Sequence, residues 1–121
     1  MALRLIIADD DALARALIEA IVERDRGLEL VGSAGDAERA IELASEHQPD
    51  VAVLDWVMPG GGGEAAARAI LQRSPDTKIV ALTTSETRPA DVATAPAVVL
   101  AKGSPPDELL RAIRAAATGG N

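Results

Sequence analysis

A few carboxylates, one lysine and a pair of hydroxyls define the chemistry open to this chain. Asp9, Asp10 and Asp11 follow "LRLIIA", and Asp55 closes "DVAVLD". Thr83 closes "TKIVALT" with Thr84 directly after it, and Lys102 follows "AVVLA". Each polar group interrupts an apolar run at its C-terminal end. Crowded carboxylates repel, which raises the pKa of at least one of them unless a cation intervenes. Lys102 offers one positive charge and a divalent metal offers two more. An all-oxygen set of two or three carboxylates suits Mg2+, which prefers octahedral geometry and keeps several waters. Water-filled positions beside a lysine and a hydroxyl suit a phosphoryl group. The chain has no cysteine and a single histidine, His47, so neither a thiolate nor a Ser–His pair is available and the nucleophile is a carboxylate. The chemistry indicated is formation of an aspartyl phosphate.

These groups meet only if the apolar runs lie side by side. The runs at 3–8, 28–34, 51–55, 77–83 and 97–101 read as strands, and helical periodicity falls between them. In "DALARALIEAIVERD" the residues Leu13, Leu17, Ile18 and Ile21 share one face, expected to point inward. "DAERAIELASEHQ" turns Ala40, Ile41 and Ala44 inward and stops at Pro49; "GEAAARAILQRS" closes before Pro75. Between strands four and five, Pro89 and Pro96 leave room for two helical turns at most. The last helix is expected to start with Ser104 as N-cap, Pro105 at its first position and Asp107 three residues after the cap. Strand and helix alternate five times, which predicts an α/β fold with a mainly parallel sheet. Right-handed crossovers and the chain length favour a flavodoxin-like three-layer sandwich, (βα)5 with strand order 2-1-3-4-5, its fourth helix short or irregular. Ligands of such a sheet bind beyond the carboxyl ends of the strands, where the order reverses.

Composition removes whole classes of function. With 12 basic against 19 acidic residues the net charge is −7, and no Lys/Arg cluster is present, so this segment is not expected to touch nucleic acid. No apolar run is long enough to span a bilayer, and the N-terminus turns acidic too early for a secretory signal. A cytoplasmic location is the expectation. Residues 1–118 are expected to form one domain, with 119–121 starting a linker or tail.

The motifs "IIADDDALAR", "VLDWVMPGGGG", "IVALTTSE" and "VLAKGSPPDELL" together resemble the receiver domain of two-component response regulators, over nearly the whole chain. The resemblance implies that Asp55 accepts a phosphoryl group from a sensor histidine kinase. It implies Asp9 and Asp10 as the acidic pair for Mg2+, with Asp10 binding directly, Asp9 through water, and the Val57 backbone carbonyl completing the protein ligands with Asp55. Thr83 resembles the hydroxyl that moves onto the phosphoryl group, and Lys102 the lysine that neutralises it. Such a domain is not an enzyme in the ordinary sense, although it takes part in its own phosphorylation and dephosphorylation. The ending "AIRAAATGGN" resembles the last helix and hinge of NarL/FixJ-type regulators, which continue into a DNA-binding output domain. An effector protein and a homodimer are the other partners such domains take.

Two features depart from the family pattern. Val99 stands where an aromatic residue usually pairs with the mobile hydroxyl, and the stretch from Thr83 to Lys102 is short. These departures motivate an alternative, an atypical receiver that works by protein–protein docking without phosphorylation. A small Mg2+ phosphohydrolase is a third reading, because Asp9 and Asp11 form a D-x-D after a strand. Single residues also have plainer roles. Asp9 to Asp11 can cap the first helix, and "GGGG" at 60–63 lacks the Lys-Ser/Thr of a phosphate loop and reads as a mobile loop. His47 is expected to be exposed at a helix C-terminus. Trp56, the only aromatic residue, is expected at the mouth of the pocket.

Overall fold

The computed structural model describes residues 2–85, 87 and 97–119. In chain order the elements are β1 (Leu3–Ala8), α1 (Ala12–Glu23), β2 (Leu28–Ala34), α2 (Ala37–His47), β3 (Val51–Asp55), α3 (Gly62–Arg73), β4 (Lys78–Thr83), β5 (Ala97–Ala101) and α4 (Pro106–Thr118). The short helix expected between β4 and β5 falls almost wholly on residues outside those described. The five strands form one parallel sheet in the order β2-β1-β3-β4-β5, the order expected from the βα alternation.

Alternation along each strand divides the core into two layers. Ile6, Ala8, Ala52, Leu54, Ile79 and Ala81 face α2 and α3. Leu5, Ile7, Val51, Val53, Val80 and Leu82 face α1 and α4. A sheet covered on both sides needs apolar residues at every position, which is why these strands read as unbroken apolar runs. The α2/α3 layer is built largely from alanines, including Ala40, Ala44, Ala66 and Ala67. Small side chains let those helices lie close, and Trp56 fills the volume they leave. Only 5% of Trp56 is exposed. Burying its ring contributes roughly 4–5 kcal/mol, taking about 200 Å2 at 25 cal/mol per Å2. Trp56 is therefore a core residue and not a residue at the pocket mouth.

Other expectations also change. Of the apolar face of α1, Ile18 is buried and Ile21 partly covered, but Leu13 and Leu17 are 71% and 59% exposed, and Val22 is buried beside Ile18. The last helix starts one residue later than expected. Pro105 is its N-cap and Pro106 its first residue, while the Ser104 hydroxyl donates to the Ala101 carbonyl. His47 is half-buried, and its carbonyl accepts from the Arg4 guanidinium. Gly62 and Gly63 belong to α3, and only Gly60 and Gly61 form the preceding turn, with φ of 85° and 100°.

At the N-terminal edge of the sheet a buried polar pair closes the turn before β4. Thr77 Oγ1 donates to the Pro49 carbonyl at 2.7 Å and lies 2.6 Å from Ser74 Oγ. Both residues are buried. Thr77→Val keeps the shape and strands the other two groups, so it is expected to cost about 1–3 kcal/mol. Urea denaturation measures this, and an unchanged midpoint contradicts it.

Candidate functional site

Register brings the chemistry-bearing residues to one edge. Ala8 pairs with Leu54, Asp55 with Leu82 and Thr83 with Ala101. The next residues, Asp9 after β1 and Lys102 after β5, thus emerge beside Asp55 at the carboxyl ends of the strands. Between β1 and β3 the strand order reverses, and adjacent crossovers leave to opposite faces there. The backbone ladders continue past the strands and fix these exits. Asp9 N–H donates to the Ala34 carbonyl, Trp56 N–H to Leu82 and Lys102 N–H to Thr83. Gly103, with φ of 86°, follows Lys102 in a turn closed by Ser104 N–H on the Ala101 carbonyl.

Lys102 Nζ sits between two buried carboxylates. It donates to Asp55 Oδ2 at 2.9 Å and to Asp9 Oδ1 at 3.1 Å. Asp55 Oδ1 accepts the Val57 N–H at 3.2 Å, and Asp9 Oδ1 accepts the Asp11 N–H at 2.9 Å. Asp9 Oδ2 is different. The ammonium lies 3.0 Å away, and among the described residues no other group donates to this fully buried oxygen.

Burial raises the Asp55 pKa from the ordinary carboxylate value, against the opposing pull of the Lys102 hydrogen bond; the Asp9 charge adds to the rise. Lys102 is also raised. Partial burial alone would lower it, but the hydrogen bonds and charges of Asp55 and Asp9 outweigh that effect. One ammonium does not satisfy the cluster. Asp9, Asp10 and Asp55 each offer an oxygen, all within 4.8 Å of one another, and three carboxylates against one ammonium leave two negative charges. The all-oxygen donors and the uncompensated charge fit a hard divalent cation.

The expected site residues are thus placed as follows. Asp9, Asp55 and Lys102 are in direct contact, and the exposed Asp10 adjoins them. Thr83 ends β4 at the same edge. Val57 is half-exposed, and its N–H turns back to Asp55. Asp11 stands apart from the cluster. Its carboxylate caps α1, accepting from the N–H groups of Leu13 and Ala14. Asp11 thereby leaves the D-x-D reading without its second acid. Val99, paired with Ala81 on β5, is 51% exposed. Nothing in the motifs singles out Arg15, yet its guanidinium donates to the Asp9 carbonyl at 2.7 Å. Its only sequence signal is a charged i,i+4 pair with Glu19 at the start of a helix whose first turn adjoins the acidic residues.

Three comparisons bear on this geometry. Residues 5–114 match the family model described as the response regulator receiver domain. The response regulator UvrY of Escherichia coli K12 is 38% identical over 120 residues, covering 97% of this chain and 55% of that protein. The response regulator GacA of Pseudomonas viridiflava is 36% identical over 115 residues, covering 93% of this chain and 54% of that protein. The chain spans about half the length of these curated relatives. Among solved structures, the signal receiver domain of the response regulator NarL from Mycobacterium tuberculosis superposes with a TM-score of 0.88 at 30% identity, covering 98% of each chain.

Proposed function

The chain belongs to the response regulator receiver family of two-component systems, and from that premise we propose that Asp55 is its phosphoacceptor in an Mg2+-assisted transfer from a sensor histidine kinase. One observation carries the reading: a single ammonium bridges two buried carboxylates, and a third carboxylate lies within 4.8 Å of them, more negative charge than one lysine offsets. An Asp55 carboxylate oxygen attacks phosphorus, forming a P–O bond as the P–N bond of a phosphohistidine breaks. The electron pair leaves on the imidazole nitrogen, which then takes a proton. Lys102 holds the acceptor in place and meets the incoming negative charge, and the Thr83 hydroxyl donates to a phosphoryl oxygen. Asp9, Asp10, Asp55 and the Val57 carbonyl would hold Mg2+, which would supply charge neutralisation for the phosphoryl oxygens. The acceptor is consumed once per event, so the domain is a switch and not a turnover enzyme.

The surface of α1 supports a kinase partner. Leu13 and Leu17 are exposed apolar residues. Leu17 also borders a groove of about 280 Å3 lined by Ile18, Ile21, Leu100, Lys102 and Leu109. A phosphorylated helix docked there would place its donor beside Lys102 and Asp55. Among the described residues no helix is long and apolar enough to cross a membrane, and the domain is assigned to the cytoplasm with its kinase's catalytic part. Because the curated relatives are about twice this length and one of them, 37% identical, is a transcriptional regulatory protein of Bacillus subtilis, the regulator is proposed to continue into a DNA-binding output domain.

The exposed Val99 favours the second reading, a receiver that docks without phosphate, and one experiment separates the two. Incubation with phosphoramidate and Mg2+ followed by intact mass measurement is expected to give one phosphoryl adduct per chain. Chelation of the metal, or Asp55→Asn, is expected to abolish it. No adduct under any divalent-ion condition would leave docking as the function.

A further inference from the structure

We infer that Arg15 is a positioning residue for the acidic pocket, locking the Asp9–Asp11 segment in the conformation that receives a cation. The inference rests on the cation-pocket reading above but stands on separate contacts. Asp9 is buried, and three of its polar groups are held by fixed partners: its N–H by Ala34, its Oδ1 by the Asp11 N–H and Lys102, and its carbonyl, among the described residues, by Arg15 alone. The arginine is itself held. Glu19, one turn along α1, lies 3.9 Å from Arg15 Nε, and Glu19 Oε2 accepts the Ser33 hydroxyl from β2. A Cβ at Gly35 would approach the guanidinium to 3.2 Å, so the end of β2 leaves just enough space for it. The chain of contacts Ser33–Glu19–Arg15–Asp9 thus ties the carboxyl end of β2 and the first turns of α1 to the peptide that carries Asp9 and Asp10.

Charge and position make opposite predictions here, so the role is separable. A guanidinium near a cation site repels the cation, and its removal as a mere charge would tighten metal binding. As a positioning group its removal loosens the acidic segment and weakens binding, as loss of a partner behind metal ligands does by about 10–100-fold.

The test compares wild type with Arg15→Met, which keeps the length but has no donor, and Arg15→Lys, which keeps one donor and the charge. Without metal, amide hydrogen exchange at Asp9 and Asp11 is expected to quicken about fivefold in Arg15→Met, the loss of roughly one hydrogen bond, with β3 and β4 amides unchanged. Calorimetric titration with Mg2+ is expected to show about tenfold weaker binding in Arg15→Met and partial recovery in Arg15→Lys. Unchanged exchange at Asp9 and Asp11, or Mg2+ binding equal to or tighter than wild type, overturns the inference. If Arg15→Met does not fold, Glu19→Gln, which loosens the same guanidinium and leaves its bond to Asp9, must shift both readouts in the same direction, and no shift counts against the role. A wild type that binds no Mg2+ removes the cation-pocket reading, while the metal-free exchange still decides whether Arg15 holds the segment.

Discussion

Lys102→Met is expected to destabilise the metal-free domain by about 2–3 kcal/mol at pH 8 and far less in acid. Removing one partner of a buried ion pair strands the other charge, typically at 3–5 kcal/mol. The lower range applies here because about a quarter of Lys102 is exposed and water screens it. The pH dependence follows from the direction of each shift. Asp55 has a raised folded pKa, so its ionisation costs stability, and the cost grows as pH rises from the ordinary carboxylate value of 3.8 through the folded value. Lys102 is raised above 10.5, so its contribution is fully present below that value and is lost as pH climbs through the folded pKa. The difference between wild type and Lys102→Met should therefore open above about pH 4, persist through neutrality and close again in strong alkali. A divalent cation can replace part of the missing charge, so Mg2+ should stabilise Lys102→Met more than wild type. Urea denaturation at several pH values, with and without Mg2+, reads both effects. Equal stability of the two proteins at pH 8 would show that the ammonium does not compensate the buried carboxylates.

Much of this site was legible before any coordinates, for a simple physical reason. A parallel sheet covered on both faces spells each strand as an apolar run, so the first polar residue after the run marks the strand's carboxyl end. Asp9, Asp55, Thr83 and Lys102 all carry that mark. The harder features depend on choices that periodicity does not encode. Helix α1 has more apolar residues than its buried face accommodates, so Leu13 and Leu17 fit the pattern as well as Ile18 and Val22 do, yet stand in solvent. Ser104 has the chemistry of a cap, but the turn after Lys102 directs its hydroxyl to Ala101, and the helix waits for the second proline. The burial of Trp56 did have a signal. Ala52 and Leu54 face α2 and α3, and the same two-residue alternation carried one step past the strand's end puts Trp56 on that face. Arg15 had almost none, because a side chain that serves a backbone carbonyl leaves no pattern in sequence.

That placement of Trp56 leaves Gly63 no room for a side chain. Gly63 is buried in the first turn of α3, with its N–H on the Trp56 carbonyl. A Cβ there would lie 2.7 Å from Trp56 Cε3, 2.8 Å from the Asp55 carbonyl oxygen and 2.8 Å from Trp56 Cα. Two of those three atoms belong to the backbone leaving the central strand, so no rotamer change relieves the clash. Either α3 lifts from the sheet or the β3 exit moves, and the second displaces Asp55 from Lys102. Gly63→Val is expected to cost about 3 kcal/mol or more, at the upper end of overpacking losses, and to shift Trp56 emission to the red as water reaches the ring. Gly60→Ala is the control. Its φ of 85° imposes strain of roughly 1–2 kcal/mol, but the nearest atom to a Cβ there is the Ala37 methyl at 3.6 Å. Its Trp56 emission should match wild type. The packing account of the junction fails if Gly63→Val loses no more stability than Gly60→Ala, or if its Trp56 emission is unmoved.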